Sequence, residues 1–353
     1  MRNEDVASIE NLQARADVFI LQWRVTMLCN YQCEFCIQGD RSAHRRQTRG
    51  ESAETRSAIC EQLRQLLDSL QGYRAVNVAL IGGEVTILKE FPALLEHLAG
   101  SSFAGDIAFQ ITTNLSRSAD FYAALCDIVR KRDRAAARRT LHLSASYYAA
   151  YVSHEDFSDK LHAIASHLAQ VSSPFGIQQP LVKKAFAKLG LSHAASASIS
   201  IGHPILSDAD YQHYLAMQAA FNARGINVNP IIIGEFETSL SPSVQQALAL
   251  NGASPPRIKV TDCSGNEHMF FNIQALGAAL EDRDKFCPRG YLCDAGMQSI
   301  FVDALGNIYR CPTLGETLQL GSVLDPGWRL HSHPVICISD HCSCNKYGRI
   351  QKP

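Results

Sequence analysis

The stretch that decides the fold is Cys29-Asn30-Tyr31-Gln32-Cys33-Glu34-Phe35-Cys36, shortly after an apolar run from Val18 to Val25. The apolar run is typical of a β-strand, and the cysteines have the spacing C-x3-C-x2-C. Three thiolates in so short a loop can hold three corners of a [4Fe–4S] cubane and leave the fourth iron without a protein ligand. Because a closed structural metal site takes four ligands, three predict an open and reactive centre. A zinc knuckle and a chance grouping are the alternatives.

The loop resembles the signature of the radical S-adenosylmethionine (radical SAM) superfamily, in which an aromatic residue such as Phe35 precedes the third cysteine. The resemblance implies an enzyme in which Cys29, Cys33 and Cys36 bind a [4Fe–4S] cluster, whose open iron binds SAM beside Phe35. In the family, one electron from the cluster cleaves SAM. The resulting 5′-deoxyadenosyl radical abstracts a hydrogen atom from the substrate.

From residue 18 to about residue 235, short β-rich runs alternate with helical patterns, which predicts a parallel sheet with helical crossovers. The predicted strands are Val18–Thr26, Ala75–Ile81, Asp106–Thr112, Thr140–Ser146, Ser196–Ile201 and Asn227–Ile233. The predicted helices are Glu54–Leu70, Leu88–Leu98, Ala119–Arg132, Asp156–Val171 and Ala209–Arg224. Six units suit the partial (β/α)6 TIM-like barrel that the resemblance implies, with ligands at the carboxyl ends of the strands. A doubly wound open sheet is the alternative, although no G-x-G-x-x-G follows any strand.

The ends of the later strands carry the remaining cofactor-binding candidates. Gly82-Gly83-Glu84 resembles the family's GGE motif, which binds the methionyl amino group of SAM, although Val85 stands where the family often has proline. Asn114 resembles the polar end of the third family strand, with Leu115 in place of a frequent glycine. Strand alternation places Ser144 and Ser146 on one face, where the family contacts the ribose and carboxylate of SAM. A turn, a helix cap and backbone-satisfied hydroxyls are the structural alternatives.

Three residues are candidates for direct catalysis. Tyr147 and His203 come just past the ends of predicted strands, where they could face the substrate. Cys263 lies at the tip of a predicted hairpin and could donate a hydrogen atom to a substrate radical. Each is also compatible with a purely structural role.

The last third of the chain is rich in cysteine and in turns, and it predicts a β-hairpin-rich, cluster-binding domain over residues 241–353, after a barrel over 1–240. Two hairpins are predicted, Arg257–Asp262 with His268–Ile273 and Gln298–Val302 with Asn307–Arg310. Cys293, Gly306 and Cys311 have the spacing C-x12-G-x4-C, which resembles the opening of the SPASM/twitch extension of radical SAM enzymes. The remaining cysteines are too few for the full SPASM pattern, so the shorter twitch type is favoured.

The twitch resemblance implies one auxiliary [4Fe–4S] cluster held by Cys293, Cys311, Cys342 and Cys344. Cys337 is a close rival, and Cys287 is the next candidate. The alternative is a structural zinc site, because zinc ribbons also pair cysteines across hairpins.

Composition excludes several classes of function. The 353 residues carry a net charge of −1, which argues against nucleic-acid binding through a basic field. No apolar run approaches the roughly 18 residues of a membrane span. No secretory signal is evident, so the twelve cysteines suit metal binding in a reducing cytoplasm better than disulfides.

The outcome for the substrate is open between oxidation, epimerisation and coupling. The first predicted strand begins at Val18, which leaves no room for the leader-binding domain of many peptide-modifying relatives. We therefore expect a small polar metabolite of the sugar, aminocyclitol or nucleoside type, with a ribosomally made peptide as the alternative. A flavodoxin or ferredoxin is the expected electron donor. A non-catalytic iron–sulfur electron carrier is a remote alternative.

Overall fold

The computed structural model describes residues 1–11, 16–33, 36, 50–134, 136–171, 197–226, 228–232, 240–241, 243–244, 258–270, 276, 279–280, 286–312, 319–340, 342 and 349–353. Two predicted site residues, Phe35 and Cys344, lie outside this part of the chain.

After β1 (Val6–Asn11), which joins a second sheet, the chain forms a row of six parallel strands. They are β2 (Val18–Thr26), β3 (Ala75–Gly82), β4 (Asp106–Thr113), β5 (Arg139–Ser146), β6 (Ala197–Ile205) and β7 (Asn229–Ile232), and each pairs in parallel with the next. Between them lie α1 (Ala53–Ser69), α2 (Phe91–Ala99), α3 (Ala119–Arg130), α4 (His154–Val171) and α5 (Asp208–Ala223). The predicted α/β architecture with a parallel sheet is confirmed.

One strand extends well beyond its predicted end. β6 continues to Ile205 rather than stopping at Ile201, because residues 203–205 pair with residues 230–232 of β7. His203 therefore lies within the sheet, near the carboxyl end of its strand, and not in the loop that follows.

The two faces of the parallel sheet differ in polarity. In β5, Leu141, Leu143 and Ala145 are buried in the main core against the helices, whereas Ser144 and Ser146 alternate with them and are half-buried. This alternation puts Ser144 and Ser146 together on the inner face of the partial barrel. This polar inner face extends to the carboxyl ends of the strands. Side chains from several strands can contact a ligand there.

Three of the helices begin at a serine that satisfies a free backbone donor. The hydroxyls of Ser52, Ser118 and Ser207 accept hydrogen bonds from Thr55, Phe121 and Asp210 in the first turns of α1, α3 and α5. These caps fix the points at which the loops from the strand ends enter the helices. None of the described helices is both long and apolar enough to cross a bilayer.

The second sheet is antiparallel and has six strands. It contains β1, β8 (Ile258–Asp262), β9 (Glu267–Phe270), β10 (Leu292–Cys293), β14 (Val335–Ile336) and β15 (Arg349–Gln351) in the spatial order β14-β10-β15-β1-β8-β9. The predicted first hairpin is present as β8 and β9. The residues before Val18 were expected to precede the first strand, but Val6–Asn11 form β1 and pair with both β8 and β15.

The second predicted hairpin joins the larger sheet. It consists of β11 (Ser299–Val302) and β12 (Asn307–Tyr309), followed by β13 (Gln319–Ser322). β11 lies parallel to β2, so the hairpin extends the barrel sheet at its first strand. The prediction that residues 1–240 and 241–353 form two separate domains stays a prediction. In the structure, β1 comes from the first of these two parts but belongs to the second sheet. The β11–β13 segment comes from the last part but belongs to the barrel sheet.

Candidate active site

The cysteine loop begins where β2 ends, at the carboxyl edge of the parallel sheet. Cys29 and Cys36 are exposed and Cys33 is partly buried, and the amide of Cys36 donates a hydrogen bond to the carbonyl of Cys33 at 3.2 Å. The pKa of the Cys29 thiol is raised, mainly by burial, and the charges of Glu84 and Cys36 add to the shift. The loop therefore brings its thiols within electrostatic reach of one another. Three thiols at an exposed strand end are a donor set that fits a [4Fe–4S] cluster.

The predicted glycines hold the base of this loop. The amide of Gly83 donates to Thr26 O at 2.9 Å, and the amide of Glu84 donates to Leu28 O at 2.8 Å. A β-carbon on Gly83 would lie 2.0 Å from Leu28 O, and one on Gly82, whose φ is +149°, would lie 2.1 Å from Thr26 O. The glycines are thus required here by close contact between two backbone segments, whether or not a ligand is bound.

Glu84 is buried and joins the ends of two strands. Its Oε1 accepts hydrogen bonds from Thr86 Oγ1 (2.5 Å), Thr86 N (3.2 Å) and Thr113 Oγ1 (2.9 Å), and its Oε2 accepts from Asn114 N at 2.5 Å. Burial raises the pKa of Glu84, and these four bonds oppose the shift. The two backbone N–H groups can only donate, whereas the two hydroxyls can donate or accept, so the network can hold the carboxyl group by four hydrogen bonds. A direct contact of this carboxylate with the amino group of SAM stays a prediction, and it would have to compete with these donors.

Asn114 connects the end of β4 to the cysteine loop. Its Nδ2 donates to Asn30 Oδ1 at 3.0 Å, and its Oδ1 accepts from Ser116 N at 3.0 Å. Leu115, at the position where the family often has glycine, has a left-handed φ of +53°. That conformation costs a non-glycine residue about 1–2 kcal/mol, and a 2.6 Å hydrogen bond from Lys160 Nζ to its carbonyl helps to hold it.

Replacing Glu84 with glutamine is expected to loosen this connection. The side-chain NH2 of glutamine would face either a backbone N–H or two hydroxyls that now donate to the carboxylate. A buried donor left unsatisfied in this way lowers the free energy of unfolding by on the order of 1–3 kcal/mol. Denaturant unfolding would measure the loss, and the exposed Glu96→Gln is the control. Unchanged stability of Glu84→Gln would contradict this account of the hydrogen-bond network.

A cavity of about 420 Å³ opens beside the cysteine loop. Cys33, Tyr148 and Tyr151 line one side, and His203 and Asp210 are among the residues lining the other. Tyr151 also stacks on Tyr31 of the cysteine loop, with ring centroids 4.1 Å apart, and its hydroxyl accepts from Gln32 N at 2.7 Å. The loop after β5 and the cysteine loop therefore form one wall.

His203 lines this cavity and is largely buried. The residue is 6% exposed, and its Nδ1 is a buried atom without a hydrogen-bond partner among the described residues. Burial lowers the pKa of His203, and the charge of His213, which also lines the cavity, lowers it further. A lowered pKa favours the neutral ring near neutral pH.

Tyr147 does not line the cavity. It is 2% exposed and packs edge-on against Phe157 and Phe221 in the core. The strand alternation that places Ser144 and Ser146 on the inner face directs Tyr147 to the opposite face. Tyr148 lines the cavity instead, and a side-chain hydrogen bond from Ser146 opposes the burial that raises the pKa of Tyr148 to about 12.

Sequence reasoning missed three cavity residues. Tyr151, Asp210 and His213 gave no local motif, although the i, i+3 spacing of Asp210 and His213 at the start of α5 could have placed them on one helix face.

Cys263 lies in the second sheet and is absent from the residues that line the cavity. Its Sγ is 3.2 Å from Lys352 Nζ and 3.7 Å from the carbonyl of Glu4. A role as hydrogen donor stays a prediction that product stereochemistry in Cys263→Ala would test.

The C-terminal cysteines gather in the core of the second sheet. Cys293, Cys311 and Cys337 are buried in one apolar cluster, and Cys342 packs against it. Burial raises the pKa of Cys293 to about 12, and the charges of Cys337 and Cys311 add to the shift. Among the described side chains, no three His, Cys, Asp or Glu residues converge on a point that would hold a single metal ion.

The four ligands of the auxiliary cluster stay a prediction. Cys337 belongs to the same buried cluster as Cys293 and Cys311. Cys287 is partly buried, and its backbone is hydrogen-bonded at both N and O by the side chain of Asn3.

The parallel sheet carries three cysteines just after the end of its first parallel strand. In the sequence, residues 23–133 match the model of the Radical SAM superfamily. Enzymes of that superfamily use a [4Fe–4S] cluster and SAM as cofactors.

No curated protein sequence matches the chain significantly. Solved structures are similar at low identity. Native anSMEcpe with bound AdoMet is 13% identical with a TM-score of 0.47, over 87% of this chain and 78% of that chain. BtrN in complex with AdoMet and 2-DOIA is 12% identical with a TM-score of 0.36, over 87% and 78%. Streptococcus suis SuiB bound to precursor peptide SuiA is 11% identical with a TM-score of 0.34, over 87% and 62%.

Proposed function

We propose that this enzyme oxidises, epimerises or couples a small polar metabolite of the sugar, aminocyclitol or nucleoside type. The cavity beside the cysteine loop carries the proposal, because Cys33 and His203 line the same space of about 420 Å³. That volume lies at the lower end of the range for small-molecule sites. Alanines 149 and 150 form part of the wall, so the space is not filled by side chains.

Each cofactor has proposed protein partners. Cys29, Cys33 and Cys36 would hold the cluster, and the SAM site would be formed by Phe35, Gly82, Gly83, Glu84, Asn114, Ser144 and Ser146. When bound, these cofactors supply a radical that removes a hydrogen atom from the substrate. The imidazole of His203 would bind a substrate hydroxyl and could accept its proton, since a lowered pKa favours the neutral ring.

The C-terminal cysteines would hold one auxiliary [4Fe–4S] cluster that accepts or relays an electron. Burial of Cys293, Cys311 and Cys337 in one cluster, with Cys342 against it, supports a shared site. A structural zinc ion is the alternative for the same thiols. A flavodoxin or ferredoxin in the cytoplasm is the proposed electron donor to the enzyme.

A ribosomally made peptide is the second candidate substrate. Leu28 and Tyr151 are 43% and 42% exposed near the cysteine loop and the cavity mouth, and such surface could receive an extended chain. The remote alternative, a non-catalytic electron carrier, would need no substrate cavity.

An anaerobic assay with SAM and dithionite tests the proposal. Wild-type protein should form 5′-deoxyadenosine and convert a polar metabolite, and a deuterium atom on the substrate should appear in 5′-deoxyadenosine. His203→Gln should lower product formation by about 10²-fold or more, and it should affect 5′-deoxyadenosine formation less. His162→Gln, on the exposed side of α4, is the control.

The other outcomes separate the alternatives. Conversion of peptides alone would favour the second candidate, and an absence of 5′-deoxyadenosine would favour the carrier. Product mass distinguishes the reactions, because oxidation removes two hydrogen atoms and epimerisation leaves the mass unchanged.

A further inference from the structure

Arg310 ties together the chain segments that carry three C-terminal cysteines. Its side chain is buried, and it donates from Nε to Ala295 O at 3.2 Å, from Nη1 to Ile336 O at 3.2 Å and from Nη2 to Val335 O at 3.4 Å. Ala295 is two residues after Cys293, and Val335 and Ile336 directly precede Cys337. Arg310 itself directly precedes Cys311. One guanidinium therefore fixes all three segments relative to one another.

Among the described residues, no carboxylate balances the charge of Arg310. Its three hydrogen-bond acceptors there are neutral carbonyls, and no ion pair joins it to Asp or Glu in that part of the chain. A buried cation without a counter-ion is costly, so such a group normally lies beside an anion. The buried thiols of Cys293, Cys311 and Cys337 can supply one, because they become anionic when they bind a metal.

We infer that Arg310 is the positioning residue and the counter-charge of a thiolate-bound metal centre formed by Cys293, Cys311, Cys337 and Cys342. The inference rests on the auxiliary centre of the proposed function and selects Cys337 as a ligand. Arg310 sets the spacing of three ligand segments through backbone carbonyls. Its positive charge also stabilises the more negative, reduced state of an iron–sulfur cluster, and so raises the reduction potential of that cluster.

Arg310→Gln and Arg310→Lys separate the two effects. Arg310→Gln removes the charge and most of the donors, whereas Arg310→Lys keeps the charge with a single donor group. Arg329→Gln is the matched control, since Arg329 also donates to backbone carbonyls, those of Pro326 and Trp328, but is exposed. Iron and sulfide content, and a redox titration followed by electron paramagnetic resonance, are measured on reconstituted full-length protein. The auxiliary signal is the one that does not change when SAM is added.

Arg310→Gln is expected to lose much of the second cluster and to shift the potential of the remainder to a lower value. Arg310→Lys should keep the potential closer to wild type, and Arg329→Gln should change neither the iron content nor the potential. Full iron content and an unchanged potential in Arg310→Gln would overturn the inference. Should Arg310→Gln fail to fold, Arg310→Lys is judged on iron content alone, where loss supports the inference and full retention overturns it.

Failure of the auxiliary-cluster proposal gives a different result. Wild-type protein would then contain about four irons and one zinc per chain. In that case the zinc content of the variants tests the positioning role of Arg310. Zinc loss in Arg310→Gln but not in Arg329→Gln supports the positioning role, and zinc retention in both overturns it.

Discussion

Replacing Gly83 with alanine is expected to lower SAM cleavage by about 10²-fold or more, because displacement of a reactive site by about 1 Å has effects of that size. The new β-carbon would lie 2.0 Å from Leu28 O and 2.9 Å from Met27 O, both backbone atoms that cannot rotate away. The strand end and the cysteine loop would have to separate, which would move the thiols. Overpacking of this kind also costs about 1–3 kcal/mol of stability.

Gly72→Ala is the matched control for this variant. Gly72 is exposed, and a β-carbon there would meet no atom within 4 Å. The measurements are 5′-deoxyadenosine formation and denaturant unfolding of both reconstituted variants. Equal activity of Gly83→Ala and Gly72→Ala would show that the close backbone contact does not position the cysteine loop.

The second large effect is expected from a pair of cysteine variants that separates the two proposed clusters. Cys33→Ala should lower the iron content from about eight to about four per chain and abolish SAM cleavage, because two thiolates remain in the loop. Cys293→Ala should lower the iron content by the same amount but leave SAM cleavage measurable. The two losses are expected to be independent, because the thiols lie in different sheets.

Cys126→Ala provides the control. Cys126 is a buried residue of α3 that packs in the main core, apart from the apolar cluster that contains Cys293, Cys311 and Cys337. Its replacement should leave iron content unchanged. If Cys293→Ala kept all its iron, Cys293 would not be an auxiliary ligand. If Cys33→Ala still cleaved SAM, the loop could not be the cluster site.

The parallel strands and the cysteine loop were predictable because their signals are local. Each of these signals lies within a single strand or helix. Examples are the apolar run of β2, the alternation in β5 and the serines that cap the helices. The same alternation could have placed Tyr147, since a residue next to Ser146 must face the other way. Local patterns could not place Tyr151 and His213, because only tertiary structure brings these residues to the cavity.

The partners of β1 and β11 could not be predicted because they lie far away in the sequence. Val6–Asn11 reads as a short polar strand with no neighbour, and it finds its partners some 250 and 340 residues later. Likewise, Ser299–Val302 reads as a simple hairpin strand, and only the fold places it beside β2. The contacts of Glu84 were also not predictable from local sequence. Its motif predicted a contact with SAM, whereas the structure shows hydrogen bonds to four donors of the protein.

The position of β1 has a consequence for the order of events during synthesis. This strand is made before the cysteine loop, but its partners β8 and β15 leave the ribosome only after the six parallel strands β2 to β7. Non-local pairing of this kind is slow to form. The cysteine loop can therefore be complete while residues 6–11 are still unpaired, and the second sheet closes last. Maturation of the two proposed metal centres would then be sequential, with the second dependent on the first strand of the chain.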